Sequence, residues 1–149
     1  MSSPLRDGSH AGDVSPRDAW QTLLDNPEAQ LIDVRTRPEW TFVGTPDMSR
    51  SGREPILLEW QIYPSMGIDG GFAEKLEAEL DRRGSPRDAP LYFLCRSGAR
   101  SASAAALMTA RGWSAAFNIE DGFEGPPDEH GHRGRSGGWK ADSLPWHQR

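Results

Sequence analysis

Leu91-Tyr92-Phe93-Leu94 is the segment that most narrows what this chain can fold into. Four apolar side chains in succession leave neither face of an extended run for water, so the segment reads as a strand buried on both sides, as in parallel sheets. A short loop, Cys95-Arg96-Ser97-Gly98, follows at once. Residues 100–111 are then Ala-rich and helical, with Gly112 closing the helix. Strand, tight loop and helix in immediate succession is the repeating unit of α/β domains.

The same alternation runs through the rest of the chain. Ser15 can cap a helix that opens with Pro16 and buries Ala19, Trp20, Leu23 and Leu24; Asn26-Pro27 ends it. Ala29 to Arg35 reads as a strand, and Pro55 to Trp60 as another. Between them, residues 36–54 are punctuated by Gly and Pro, with at most a helical turn near Pro38 to Trp40. Phe72 to Arg83 is the clearest helix, since Phe72, Ala73, Leu76 and Leu80 share one face and Gly84 stands at its end. Ala115 to Ile119 makes a last short strand. Residues 121–138 then read as a long loop, and Trp139, Leu144, Pro145 and Trp146 dock the C-terminus. The expected architecture is an α/β domain, its mostly parallel central sheet flanked by helices, over residues 13–149 behind a mobile polar tail of residues 1–12.

At 149 residues the chain fits one domain, large enough to fold without a metal or a disulfide. Its single cysteine rules out an internal disulfide and argues for a reducing, cytoplasmic setting. No apolar run approaches the roughly 18 residues of a membrane span, and none suits a signal peptide. A formal net charge of −5 speaks against nucleic acid as a partner, because phosphate binding needs a basic surface. A small anionic ligand stays compatible, since only the local charge of its pocket counts. His130 and His132 lie close together in a Gly-rich loop without cysteine partners and read as surface residues, so no metal is expected. The six tryptophans read mostly as packing, with Trp40, Trp60 and Trp139 as candidate pocket walls.

The loop after Leu94 is suited to holding negative charge. The first turn of a helix leaves about four backbone N–H groups without intrahelical partners, and the helix dipole places partial positive charge at the same end. Gly98 allows a positive φ, so that successive N–H groups can point inward as a nest. Arg96 and Arg100 add two permanent cations. A thiol so surrounded ionises more readily than an ordinary cysteine and becomes an available nucleophile. The competing reading of Cys95 is a small buried core residue, which the following Gly and two Arg make a poor fit.

Cys95-Arg96-Ser97-Gly98-Ala99-Arg100-Ser101 resembles the active-site loop of the rhodanese-like family. Three further segments agree with that family in order and spacing: Leu31-Ile32-Asp33-Val34-Arg35 followed by Glu39-Trp40, Asn118-Ile119 leading into Asp121-Gly122-Phe123, and Gly137-Gly138-Trp139 leading to Leu144-Pro145. The resemblance implies a three-layer rhodanese-like domain and a sulfurtransferase cycle. In that cycle Cys95 takes sulfur from an anionic donor such as thiosulfate, holds it as a persulfide, and passes it to cyanide, a thiol or a protein acceptor. It also implies that Arg96 and Arg100 bind the anion, that the backbone of Arg96, Ser97, Gly98, Ala99, Arg100 and Ser101 cradles the sulfur, and that Asp33 orients Arg35 or loop groups. No cofactor is implied, because the transfer is nucleophilic exchange.

The chain departs from the family pattern in two places. Phe42-Val43-Gly44-Thr45-Pro46-Asp47-Met48 stands where Gly-His-x-Pro-Gly-Ala is usual, and Gly125 to Ser136 resembles an insertion. Three other functions compete with sulfur transfer. A cysteine-dependent phosphatase or arsenate reductase usually has five residues between Cys and Arg, against four here. A non-enzymatic rhodanese-fold binding or regulatory module commonly lacks the cysteine. A redox sensor lacks, in this chain, a second cysteine to resolve a sulfenic acid.

Overall fold

The computed structural model describes residues 10–148. Residues 1–9, and with them most of the expected tail, lie outside the described residues. In chain order, β1 (Gly12–Val14), α1 (Pro16–Asp25), β2 (Gln30–Asp33), α2 (Arg37–Phe42) and β3 (Thr45–Pro46) lead to β4 (Ile56–Leu57). A hairpin of β5 (Gln61–Ile62) and β6 (Gly67–Ile68) precedes α3 (Phe72–Arg82) and β7 (Leu91–Leu94). The chain ends through α4 (Ala99–Ala110), β8 (Ala116–Ile119) and β9 (Trp146–His147).

The main sheet has five strands in the order β1-β8-β7-β2-β4, and every pairing in it is parallel. Period-two alternation splits its side chains between two cores. Ile32, Leu91, Phe93 and Ala116 face α3 and α4, where Phe72, Leu76, Leu80, Ala104, Ala105 and Met108 complete one core. Leu31, Tyr92, Leu94 and Ile119 face the other way, toward Ala19, Trp20 and Leu23 of α1 and toward Phe123, Trp139 and Leu144. Helix, sheet and helix thus form the three layers that the apolar strands require. Each large side chain buried this completely stabilises the fold by roughly 1.5–3 kcal/mol.

Local chemistry sets the element ends. Ser15 Oγ accepts from Asp18 N–H at 3.1 Å, with Pro16 in the first turn of α1. Thr36 and Glu39 form a reciprocal capping box on α2. Trp139 seats the C-terminal segment, edge-on to Trp20 with ring centroids 5.6 Å apart and its Nε1–H donating to the Pro145 carbonyl at 2.7 Å.

The structure differs from the sequence expectation in three places. Residues 10–12 belong to the domain edge: Ala11 N–H donates to the Ala116 carbonyl at 2.9 Å, and Gly12 already pairs with Phe117 in β1. The strand expected over Pro55 to Trp60 is regular only at Ile56–Leu57, because the chain then turns into the β5–β6 hairpin. The segment 36–54 holds a full six-residue helix, since Pro38 stands in its first turn, where proline fits, and a capping box closes its start. It also holds β3, which pairs antiparallel with β9.

Candidate active site

Cys95 follows the last residue of β7, at the carboxyl edge of the sheet where open α/β folds bind ligands. Gly98, at φ +117°, turns the loop and is the N-cap of α4. A positive φ of this size favours glycine, which has no Cβ to clash. The turn brings Gly98 N–H to 3.1 Å from Cys95 Sγ and Ser101 Oγ to 3.2 Å. Cys95 is 2 % exposed and belongs to the core shared with Phe93 and Ala104. It is a recessed thiol with polar groups on one flank.

The loop is braced from behind. Phe123 N–H donates to the Cys95 carbonyl at 2.7 Å, and the Glu124 and Gly125 N–H groups donate to the Arg96 carbonyl at 3.0 and 3.1 Å. This contact needs a glycine at position 122, where a Cβ would collide with the Cys95 and Arg96 carbonyl groups at a φ of +61°. The sequence marks the Asp121-Gly122-Phe123 turn as a motif, but its bracing role is visible only in three dimensions.

The charged residues divide into two pairs. Arg35 Nε and Nη2 grip the Asp33 carboxylate at 2.9 and 2.7 Å, and both side chains are fully buried. Arg35 Nη2 also donates to the Gly44 carbonyl at 2.7 Å, and its guanidinium lies 4.2 Å from the Phe123 ring centroid. Asp33 therefore orients Arg35, which ties β2 to the segments around Gly44 and Phe123. Arg100 instead meets Glu39 of α2 through two parallel bonds of 2.7 and 3.0 Å, at the partly open rim. Burial works against the Arg100 charge, but the Glu39 carboxylate outweighs it, with Cys95 and Asp33 adding to the effect, and raises the guanidinium above its usual value. Burial likewise pushes the Glu39 carboxyl up, and Arg100 together with Thr36 holds it below the ordinary glutamate range.

Of the expected cradle, the structure brings Gly98 N–H and the Ser101 hydroxyl to the sulfur. Among the described residues, no other donor of the 96–101 loop bonds Sγ. The Ala102 amide, the first beyond that loop, donates to the Gly98 carbonyl and closes the first turn of α4. The side chains of Arg96, Ser97 and Ala99 are exposed on the loop. Arg100 does not stand as a free cation, since Glu39 already occupies it. Sequence reasoning missed Glu39 as that partner, and also Asn118, whose Oδ1 accepts from Ser101 Oγ at 2.5 Å. Both stand in quoted motifs, so the signal was present without the contact.

Trp60 and Trp139 belong to the cores, Trp60 packing edge-on to Phe72 at 5.0 Å and Trp139 against Trp20. Trp40 lines a cleft of about 570 Å³ beside α2, with Pro46, Met48 and Leu57. None of residues 95–101 lines that cleft, and its size does not make it the reactive site. The backbone amides of His130 and His132 both donate to Asp128 Oδ1, and among the described residues no three potential metal ligands converge. No helix among them is long and apolar enough to cross a membrane.

Residues 11–149 match the family model described as the STR4 middle domain. The crystal structure of Rv0390 from Mycobacterium tuberculosis superposes with a TM-score of 0.81 at 46% identity, covering 95% of this chain and all of that one. The polysulfide-sulfur transferase homodimer of Wolinella succinogenes gives a TM-score of 0.57 at 26% identity over 92% of this chain and 78% of that one. By sequence, an uncharacterized Rickettsia conorii protein is 36% identical over 86% of this chain and 90% of its own length. The chloroplastic thylakoid rhodanese-like protein of Oryza sativa is 32% identical over 91% of this chain, which spans a quarter of that larger protein. Parallel sheet, cysteine-bearing loop and relatives agree: the chain belongs to the rhodanese-like domain family, within the group of the STR4 middle domain.

Proposed function

We propose that this protein is a sulfurtransferase that carries sulfane sulfur as a persulfide on Cys95. One observation carries the reading: at the carboxyl end of β7, Cys95 Sγ receives the Gly98 amide at 3.1 Å. An amide held at that distance stabilises charge on sulfur without having to reorganise during the reaction.

With thiosulfate as donor, the Cys95 thiolate attacks the outer sulfur. An Sγ–S bond forms while the S–S bond of thiosulfate breaks, and its electron pair leaves on sulfite. Cyanide or a thiol, free or on a protein, then attacks the outer sulfur of the persulfide, and the electron pair of the broken bond returns to Cys95. Arg96 on the exposed loop supplies positive charge that draws an anionic donor to a recessed thiol, and Arg100 at the rim adds its own charge once the donor displaces Glu39. The Wolinella relative, a polysulfide-sulfur transferase, supports sulfane chemistry of this kind and adds polysulfide as a second donor class. The cytoplasm is the expected setting, where an unpaired nucleophilic thiol stays reduced.

Intact-mass measurement after incubation with thiosulfate tests the proposal. The expected result is one added sulfur atom, removed again by cyanide and absent from Cys95→Ala. A wild-type mass unchanged by thiosulfate and by polysulfide would overturn it.

A further inference from the structure

The Ser101 hydroxyl stands between two claimants. Its Oγ lies 3.2 Å from Cys95 Sγ and 2.5 Å from Asn118 Oδ1, with the Gly98 carbonyl at 3.1 Å as a third acceptor. A hydroxyl has one proton to donate. The amide oxygen is the nearest acceptor and a far better one than a thiol sulfur, so the proton points at Asn118. The lone pairs of Ser101 Oγ then face Cys95, where they suit a thiol S–H and oppose a thiolate.

Asn118 is itself held in that orientation. Its Nδ2 donates to Asp13 Oδ1 at 3.1 Å across the β1–β8 pairing, in which the two residues are direct partners. A carboxylate only accepts, so it selects the NH₂ side of the amide and turns the oxygen toward Ser101. His10 Nε2 bonds the same Asp13 oxygen at 2.8 Å. The His10 hydrogen bond outweighs burial, Asn118 adds to it, and the Asp13 carboxyl is held below the ordinary aspartate range. The result is one continuous chain from β1 through β8 to the first turn of α4 and the sulfur. The other charged groups near this end of the sheet are Arg100 with its partner Glu39, Arg96 on the loop, and Asp33 at the end of β2 with Arg35 just beyond it. None of them belongs to this chain of bonds.

We propose that Asn118, anchored by Asp13, is a positioning residue that draws the Ser101 proton away from Cys95 and so holds the nucleophile back as a thiol. Ionisation, or arrival of a persulfide sulfur, turns the hydroxyl toward the sulfur at the expense of its bond to Asn118. The proposal rests on Cys95 being the reactive group of the preceding section, and it adds how that reactivity is set.

Because Cys95 is the only cysteine, its alkylation by iodoacetamide reads this site alone. Asn118→Ala is expected to alkylate about two- to ten-fold faster than wild type at neutral pH, the equivalent of one hydrogen bond. At strongly alkaline pH, where every thiol is ionised, the two rates are expected to converge. In a Ser101→Ala background the same Asn118 substitution is expected to change nothing, because the shared proton is gone. Asp13→Ala, at the half-exposed edge of the sheet, is expected to accelerate alkylation by a smaller factor, since the freed amide can flip. That variant decides the matter should Asn118→Ala lose its fold by circular dichroism.

A folded Asn118→Ala that alkylates no faster would overturn the proposal. So would equal acceleration with and without Ser101, or a raised alkaline limit, either of which marks wider access in place of a redirected proton. Failure of thiosulfate to load Cys95 would sink the sulfurtransferase reading separately, because alkylation needs no sulfur donor.

Discussion

Asp33–Arg35 and Glu39–Arg100 are chemically the same pair, a carboxylate gripped by a guanidinium through two nitrogens, set in different surroundings. The first is sealed, with both side chains at 0 % exposure, and its arginine reaches on to Gly44 and Phe123. The second stands 18–20 % exposed at the rim. In the sealed pair neither partner can leave without stranding a charge in the core, so it fixes the backbone that frames the site. At the rim, water can replace either partner, and an arriving anion can compete for the arginine. Position in the fold, more than residue type, decides which pair is sealed as scaffold and which stays open to exchange with solvent.

Removing one side of each pair breaks the comparison most sharply. Asp33→Ala strands the Arg35 guanidinium and is expected to destabilise the fold by about 3–5 kcal/mol, read from urea unfolding midpoints. Arg100→Ala is expected to lose no more than about 1 kcal/mol of stability. In steady-state kinetics it should lower kcat/KM for thiosulfate by about ten- to a hundred-fold, mainly through KM, the range of a charged hydrogen bond. A similar stability loss in the two variants would erase the distinction.

Glu39→Gln sharpens the comparison with a smaller effect. Glutamine keeps the capping box of α2 while removing the charge. Arg100 is then free for the donor, and KM for thiosulfate is expected to fall about two- to five-fold. The same variant tests the pH dependence. Because the folded Glu39 carboxyl is held below its ordinary value, the pair contributes stability above the ordinary glutamate range and loses it as pH falls through the lowered folded value. Wild type is therefore expected to lose up to about 1 kcal/mol more than Glu39→Gln across that acid window, measured by urea unfolding at stepped pH. Parallel acid profiles would assign the acid loss to other carboxylates.

Much of the fold is legible in the sequence because burial writes a local pattern. Leu91 to Leu94 is apolar throughout and lies buried on both faces. The stripe of Phe72, Ala73, Leu76 and Leu80 is the buried face of α3. The strand-loop-helix at Cys95 is equally plain, since it needs only an apolar run, a glycine and an alanine-rich helix. The contacts that finish the site are not written locally. Glu39 and Arg100 meet across 61 positions, and Asp13 and Asn118 across 105. Each of these polar residues reads alone as a solvated or capping side chain. β1 stayed hidden because Gly12-Asp13-Val14 carries a single apolar residue at a sheet edge, too little for a period to show. The β5–β6 hairpin, two residues to a strand, is just as faint.

The Gly122–Gly125 turn has a consequence for biosynthesis. A chain grows from its N-terminus, so Cys95 and the helix behind it emerge before the residues that grip the Cys95 and Arg96 carbonyls. During that interval the loop after β7 lacks its backing, and it gains these hydrogen bonds only once the ribosome has delivered the segment beyond β8. The Cys95 loop is thereby completed late in the birth of the molecule.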